Sequence, residues 1–295
     1  MPFPKPTDDP IVKRLRWIMI GAMLFSMFLT LAGQPDGFWQ NPEAAIRGDG
    51  LGVHNPLNHT FEFFLSRGWQ PYVLSCLIYF ALAFVVVSVL PRKAALIAAF
   101  SAIFGHYFGA CNWLAVHWGL GFTGGDVYSI VVSAAIIWAG SSLSAQSADQ
   151  VIRRVRWVML GVMLLDMSVT LIGQPSSYWH HPETVREGNS IWHWFMVRGW
   201  LDYVLADSVF SLIRFMLVSV LPRIYALFLL FIVILGHFIG VSNWLFYDWR
   251  LGIEAPVIYG VGLGSLIVFL SFRRRQKPGQ ARDKSLEPAA APFAC

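Results

Sequence analysis

Long apolar runs alternate along this chain with short connections that carry most of its basic and polar residues. Leu74–Leu90, Ala94–Val116 and Ile224–Phe246 are each close to the roughly 20 residues that a helix needs to cross a bilayer. The pattern predicts an all-α integral membrane protein with eight transmembrane helices. The predicted helices cover residues 17–33, 71–90, 94–116, 127–144, 157–173, 201–221, 224–246 and 256–272.

The chain also contains an internal repeat. The hexapeptide Thr30–Pro35 returns with one substitution at Thr170–Pro175. The pattern Gly-His-x-x-Gly-x-x-Asn-Trp occurs at residues 105–113 and again at residues 236–244. A repeat of this length indicates that one membrane unit was duplicated within the chain.

The repeat predicts how the chain is divided. A first four-helix copy covers residues 17–146, and a second four-helix copy covers residues 147–272. Because each copy contains an even number of helices, both should have the same orientation. The sequence therefore predicts a tandem 4+4 parallel-oriented repeat about an axis along the membrane normal.

Basic residues in the short connections predict the orientation, because Lys and Arg concentrate on the cytoplasmic side of a membrane. With eight crossings, all the basic clusters fall on one side, so both termini are predicted to be cytoplasmic. Residues 1–16 then form a cytoplasmic N-terminal segment, and residues 273–295 form a disordered cytoplasmic tail. We expect the membrane to be the cytoplasmic (inner) membrane of a bacterium.

The composition excludes several classes of function. Charged residues make up only 13% of the chain, against about a quarter in soluble proteins. The net charge of +5 comes from basic residues at the ends of apolar segments, so no nucleic-acid partner is expected. The three cysteines lack metal-binding or disulfide spacing, and no Gly-x-Ser-x-Gly or His-Glu-x-x-His pattern occurs. No metal site and no catalytic residue can therefore be assigned, which disfavours an enzyme.

The third helix of each copy carries one histidine, His106 in the first copy and His237 in the second. Two equivalent histidines about a twofold axis could supply both axial nitrogens of one haem b, or could hold a quinone. The alternatives are a hydrogen-bonded histidine that only fixes a close helix crossing, and a proton relay.

The second copy carries three charged residues inside apolar segments at positions where the first copy has neutral residues. A lone charge at the bilayer centre costs at least about 2.5–3.5 kcal/mol, so we expect these groups to be paired. Helix depths at about 1.5 Å per residue predict the pairs Asp166–Arg214 and Asp207–His237. The alternative is an ion-pair network that only fixes helix register. The predicted polar pathway comprises Asp166, Thr170, Asp207, Ser211, Arg214, His237 and Asn243.

Both copies keep Gln-Pro, Trp, Pro-Glu and Arg-Gly-Trp in the outward loop that follows their first helix. One interpretation is an aromatic belt at the membrane surface, and the other is an extracytoplasmic cap that binds a partner. Besides the lipid bilayer, the expected partner is another membrane protein or a second copy of this chain. The predicted partner-binding residues are Trp39, Glu43, Arg67, Trp69, Trp179, Glu183, Arg198 and Trp200.

These patterns lead to three hypotheses for function. The first is a transporter or permease that moves a small polar solute or ion, with proton coupling through the polar residues of the second copy. The second is a haem b- or quinone-binding subunit of a membrane redox complex that uses His106 and His237. The third is a non-catalytic scaffold subunit of a membrane assembly, whose outward loops bind a partner.

Overall fold

A computed structural model describes residues 8–48 and 59–271. Within these ranges the chain forms helices and no strands, and eight helices are long and apolar enough to cross a membrane. The prediction of an all-α integral membrane protein is confirmed. Residues 1–7 of the predicted N-terminal segment and the whole predicted tail lie outside the described residues. The long helices are α1 Pro10–Ala32, α2 Trp69–Val89, α3 Arg92–Asn112, α4 Gly121–Gly140, α5 Ala145–Ile172, α6 Trp200–Val220, α7 Arg223–Asn243 and α8 Glu254–Ser271.

The helix starts differ most from the prediction at α1 and α5. The predicted starts, residues 17 and 157, mark where the apolar runs begin, whereas both helices extend back into the basic residues before them. Asp9 caps α1 because its carboxylate accepts two backbone N–H groups at 2.9 and 3.1 Å. Ser144 caps α5 because its hydroxyl accepts the Ser147 N–H. Capping residues, rather than the apolar runs, therefore determine where these helices begin.

Short helical elements connect the long helices. A glycine precedes both α2 and α6: Gly68 has φ +115° and Gly199 has φ +134°, a conformation that side chains with a Cβ rarely adopt. A π-helical turn directly follows both α3 and α7. The short elements are the 3-10 turns Asp36–Trp39, Ser176–Trp179 and Pro182–Thr184, the α-helices Pro42–Gly48, His59–Leu65 and Ser190–Met196, and the π-helical turns Trp113–His117 and Trp244–Asp248.

Helices α3 and α7 occupy the centre of the bundle. α1 packs on α3 and α5 packs on α7, while α4 also packs on α7 and α8 packs on α3. Phe104 of α3 and Phe238 of α7 bring the two central helices together, with ring centroids 4.8 Å apart. α2 lies against α1 and α3, and α6 lies against α5 and α7. The outer face of α6 consists of exposed apolar side chains such as Leu205 and Leu212, so α6 lies at the lipid-facing periphery.

A glycine–tryptophan contact fastens α1 to the end of α3, and another fastens α5 to the end of α7. The Trp113 ring fills the space that a side chain at Gly33 would need, and the Trp244 ring does the same at Gly173. Both tryptophans begin a π-helical turn. The glycines are therefore required by close packing rather than by their backbone conformation.

We expect Gly173→Ala to destabilise the protein. The added methyl group would collide with the Trp244 ring, and overpacking of this kind typically costs about 1–3 kcal/mol. Gly161→Ala is the matched control, because it lies on the same helix and a Cβ there meets no atom within 4 Å. The midpoint of thermal unfolding in detergent should fall for Gly173→Ala and should not fall for Gly161→Ala. Equal midpoints for the two variants would contradict the packing argument.

Candidate functional site

Five polar side chains of the second copy lie between α5, α6 and α7, and we call them the α5–α7 cluster. Three of them lie on α6 at positions 207, 211 and 214, and this spacing of four and three residues places them on one face of the helix. Two of them, Asp207 and Ser211, are each only 2% exposed. The cluster consists of Asp166 on α5, Asp207, Ser211 and Arg214 on α6, and His237 on α7.

His237 is the centre of this cluster, since both of its ring nitrogens have partners. Nδ1 lies 2.7 Å from Oδ2 of Asp166, and Nε2 lies 3.2 Å from a guanidinium nitrogen of Arg214. A guanidinium can only donate hydrogen bonds, so Nε2 must be the acceptor. The ring proton then lies on Nδ1 and is donated to Asp166. The geometry therefore selects a neutral imidazole with a defined tautomer.

Asp207 brings a second carboxylate to the cluster without a matching donor. It interacts electrostatically with His237, Asp166 and Arg214. Its Oδ2 atom and the Ser211 hydroxyl are both buried, and neither has a hydrogen-bond partner among the described residues. A buried polar atom without a partner costs free energy, so these two groups are the natural place for a bound proton, ion or solute.

Neither predicted pair, Asp166–Arg214 or Asp207–His237, forms a hydrogen bond. Asp166 and Arg214 both bond to His237, and Asp207 is an electrostatic neighbour of that ring. The prediction paired residues that lie at similar depths in the membrane, but the depth of a residue does not determine the direction in which its side chain points. The Asp166 carboxylate turns toward α7 at Gly240, where a Cβ would lie 2.5 Å from Oδ1 of Asp166. The missing side chain at Gly240 thus lets Asp166 reach His237 instead of Arg214.

Two further residues of the predicted pathway lie toward the end of the bundle at which Gly173 contacts Trp244. Thr170, one turn beyond Asp166 on α5, is a polar neighbour of the Tyr203 phenol. Tyr203 is 4% exposed and lies one turn before Asp207 on α6. Asn243 lies at the end of α7, outside the hydrogen bonds that join the cluster. The structure therefore brings Thr170 to the cluster and leaves Asn243 apart from it.

Glu187, in the loop between α5 and α6, was not among the site residues predicted from the sequence. It is partly buried, and its Oε1 accepts the Asn189 N–H at 2.8 Å. Burial raises the pKa of the Glu187 carboxyl from its ordinary value of 4.5 to about 7; the Asn189 bond opposes this shift, and the Asp166 and Asp248 carboxylates add to it. A glutamate in a polar loop is typically solvated, which is why its sequence position gave no signal.

The length of this loop differs between the two copies, and this difference is visible in the sequence. Asp166 follows its first-copy counterpart by 140 residues, whereas His237 follows its counterpart by 131. The chain between them is therefore nine residues shorter in the second copy, and the difference falls in the loop after the first helix of each copy. Glu187 lies in this shorter loop and interacts electrostatically with Asp166.

In the first copy the corresponding helices pack in a similar way, but the residues around the histidine are different. The His106 ring packs against the rings of Tyr79 and Phe80 on α2, with centroids 6.1 Å away in both cases. Tyr72 is a polar neighbour of Thr30, as Tyr203 is of Thr170 in the second copy. Neutral residues replace the charged ones: the first copy has Ser26, Cys76 and Ala83 where the second has Asp166, Asp207 and Arg214.

The two histidines do not fit a single shared haem. His106 faces α2, whereas His237 faces α5 and α6. Both ring nitrogens of His237 are already engaged, so neither is free to bind iron in this arrangement. Among the described residues, no three His, Cys, Asp or Glu side chains are grouped so that they could hold a metal ion.

The predicted partner-binding residues lie at the helix ends that the sequence predicts to be outward. Arg67 lies over the Phe63 ring at 3.4 Å, and Arg198 lies over the Trp194 ring at 3.5 Å, so each arginine is held by a cation–π contact. Glu183 is exposed and pairs with His181 at 3.2 Å. Partner binding by these loops remains a prediction. About half of each side chain is exposed at Trp39, Trp69, Trp179 and Trp200.

Comparison of the chain with protein-family models, with curated proteins and with solved structures gave no match. The function of this polytopic membrane protein therefore has to be inferred from its own residues and their geometry.

Proposed function

We propose that the protein is a transporter or permease that moves a small polar solute or ion and couples this movement to protons through the α5–α7 cluster. The observation that supports it best is the hydrogen-bonded row Arg214–His237–Asp166 beside the unpartnered Asp207 carboxylate. Ionisable groups inside membrane helices typically mark ion or proton pathways. The first copy, which has neutral residues at the matching positions, then serves as scaffold.

The charges of the cluster favour a role in proton or cation handling. Two carboxylates and one guanidinium, with a neutral His237, carry one negative charge in total. One bound proton or one monovalent cation neutralises them. Because uncompensated charge inside a membrane is costly, the cluster is expected to bind and release such an ion rather than to remain permanently charged.

Protonation of His237 gives a mechanism for coupling. A proton on Nε2 would face the N–H groups of Arg214, so the hydrogen bond between them would be lost. Arg214 could then turn toward Asp207, which lies two turns away on the same face of α6. One proton would thereby exchange the partner of Arg214 from His237 to Asp207, so that the Asp207 carboxylate is free when His237 is neutral and paired when His237 is protonated. An alternation of this kind is what proton-coupled transport requires.

We further propose that the two copies form four-helix units side by side, with both termini in the cytoplasm of a bacterium and the basic helix ends on that side. The matched contacts of the copies support this arrangement. Arg16 hydrogen-bonds to Ser88, and Arg156 hydrogen-bonds to Ser219 at 2.9 Å. The fourth helix of each copy also packs on the third helix of the other copy: α4 packs on α7, and α8 packs on α3.

His237→Gln should abolish proton movement, because glutamine cannot take up the coupling proton. Liposomes containing the protein and the pH dye pyranine would be given a potassium diffusion potential. Amino acids, small carboxylates, phosphate or sodium would then be added outside. We expect one solute class to move protons in the wild type, and His237→Gln to give the signal of protein-free liposomes. Arg214→Ala should insert normally and also lose the signal.

His106→Gln is the matched control for this experiment, since it changes the equivalent histidine of the first copy. It should retain the wild-type signal when equal amounts of folded protein are reconstituted. Proton movement that survives His237→Gln, or none in the wild type with any solute of the panel, would contradict the proposal.

Gly240→Ala should break the hydrogen bond between Asp166 and His237. A methyl group there would occupy the place of the Asp166 carboxylate, whereas at Gly109, its counterpart, a methyl group meets only the Ser26 hydroxyl at 3.4 Å. In protein labelled with 15N-histidine, Gly240→Ala should move the His237 Nδ1 resonance, and Gly109→Ala should leave it in place. An unchanged His237 spectrum in Gly240→Ala would show that the carboxylate does not hold the ring.

The proposed orientation can be checked with thiol labelling of intact cells. In a background in which Cys295 is replaced by serine, Cys76 and Cys111 are buried and should not react. Ser177→Cys, in the outward turn after α5, should react with a membrane-impermeant maleimide. Ser147→Cys, at the basic end of α5, should react only after the cells are opened. The reverse pattern would invert the topology.

A further inference from the structure

Hydrogen bonds fix the outward loop of the second copy at the end of α5. The Gln174 side chain, at the end of α5, accepts the Arg186 N–H at 2.8 Å and donates to the Arg186 carbonyl at 2.9 Å. At the other end of this segment, the Asn189 side chain caps the helix Ser190–Met196 by accepting the Ile191 N–H at 3.0 Å. We call residues 186–189 the outer strap. Its two ends are fixed, so the position of Glu187 between them is fixed as well.

The electrostatic neighbours of the Glu187 carboxylate are acidic. They are Asp166 of α5 and Asp248 at the end of the π-helical turn after α7. The carboxylate accepts a hydrogen bond from the backbone N–H of Asn189. Like charges in a partly buried site favour binding of a proton by one member.

Tyr203 is an electrostatic neighbour both of Glu187 and of the buried carboxylates Asp166 and Asp207. It is buried and lies one turn before Asp207 on α6. A tyrosine hydroxyl can accept one proton and release another. The unpartnered Oδ2 of Asp207, in a side chain that is 98% buried, is an acceptor at the inner end of this series.

We infer that Glu187 is the outward proton acceptor of the protein, and that it passes protons through Tyr203 to the carboxylates of Asp166 and Asp207; this inference rests on the proposed function. In each transfer the Glu187 carboxyl loses a proton to the Tyr203 oxygen, and the Tyr203 hydroxyl loses its own proton to a carboxylate. Tyr203 ends unchanged, Glu187 ends ionised, and the cluster gains one proton. Glu187 then takes the next proton from the outer solution.

The ionisable groups around this series come from every neighbouring element. Asp166 belongs to α5, Tyr203 and Asp207 belong to α6, and His237 and Asp248 belong to α7 and its π-helical turn. Tyr259 of α8 is an electrostatic neighbour of Asp166, and Arg186 of the strap is a neighbour of Asp248. Because acidic groups predominate here, the series suits a proton and not an anion.

Glu187→Gln tests the inference without any transport substrate. The pKa of Glu187 is raised from 4.5 to about 7, so folded protein binds more protons than unfolded protein between these values and loses stability as the pH rises through them. Glu187→Gln should therefore unfold at a higher temperature than the wild type above pH 7. This difference should shrink as the pH falls and vanish below pH 4.5. An infrared difference spectrum across pH 7 should also lose one carboxyl band in the variant.

Asp202→Asn is the matched control, because Asp202 is an exposed carboxylate at the start of α6 beside Tyr203. It should leave both the carboxyl band and the pH dependence unchanged. A band that persists in Glu187→Gln would overturn the inference. So would a band that disappears from the wild type when sodium is added at constant pH, because the site would then take a metal cation in place of a proton.

The inference and the proposed function can fail separately. In the liposome experiment, Glu187→Gln and Tyr203→Phe should each lose proton movement driven from outside, while Tyr203→Phe keeps the Glu187 band. Movement that is abolished by His237→Gln but unaffected by Glu187→Gln and Tyr203→Phe would leave the proposed function intact and refute the outward route. If the wild type moves no protons, the proposed function and the proton route fail together, even if the infrared band still reports that Glu187 binds a proton.

Discussion

The hydrogen bond between Asp166 and His237 is the interaction on which the chemistry of the second copy depends. It forms because α5 passes close to α7 at Gly240, where no side chain occupies the place of the carboxylate. The bond holds the ring proton on Nδ1 and leaves Nε2 to accept from Arg214. Arg214 is thereby engaged away from Asp207, whose Oδ2 stays without a hydrogen-bond partner. One close approach of two backbones thus sets both the tautomer of the ring and the position of the guanidinium.

The first copy shows that the same helix packing forms without these charges. Its helices repeat contacts that build the second copy, including the arginine–serine hydrogen bond and the glycine–tryptophan packing. At the position of Asp166 it has Ser26, and at the position of Arg214 it has Ala83. Since the same packing forms with neutral residues, and buried ion pairs add little stability, stability alone does not explain the charged residues. Their presence in one copy only is better explained by a function that this copy carries.

The sequence was sufficient to predict the membrane class and to identify the residues of the cluster. The length of an apolar segment, and the presence of a charged residue within it, can be read directly from the sequence. It did not predict which residues pair. Asp166 and Arg214 match in depth, but the direction of a side chain around its helix depends on Gly240 of another helix. Glu187 was missed for a similar reason. Its environment is created by Gln174 and Asn189, which hold the outer strap in place, and by two acidic residues that are distant in sequence.

The position of α6 explains how a single proton could move part of a packed bundle. In a membrane, apolar side chains gain little by leaving lipid for protein, so polar contacts and close packing hold the helices together. α6 packs against α5 and α7 and otherwise faces outward with apolar side chains. Its side-chain hydrogen bonds to neighbouring helices within the described residues include Arg214 to His237 and Ser219 to Arg156. In the proposed mechanism, protonation of His237 would remove the first of these bonds. The equivalent helix α2 has Ala83 at this position and packs on His106 through aromatic rings, so a proton has no comparable bond to break there.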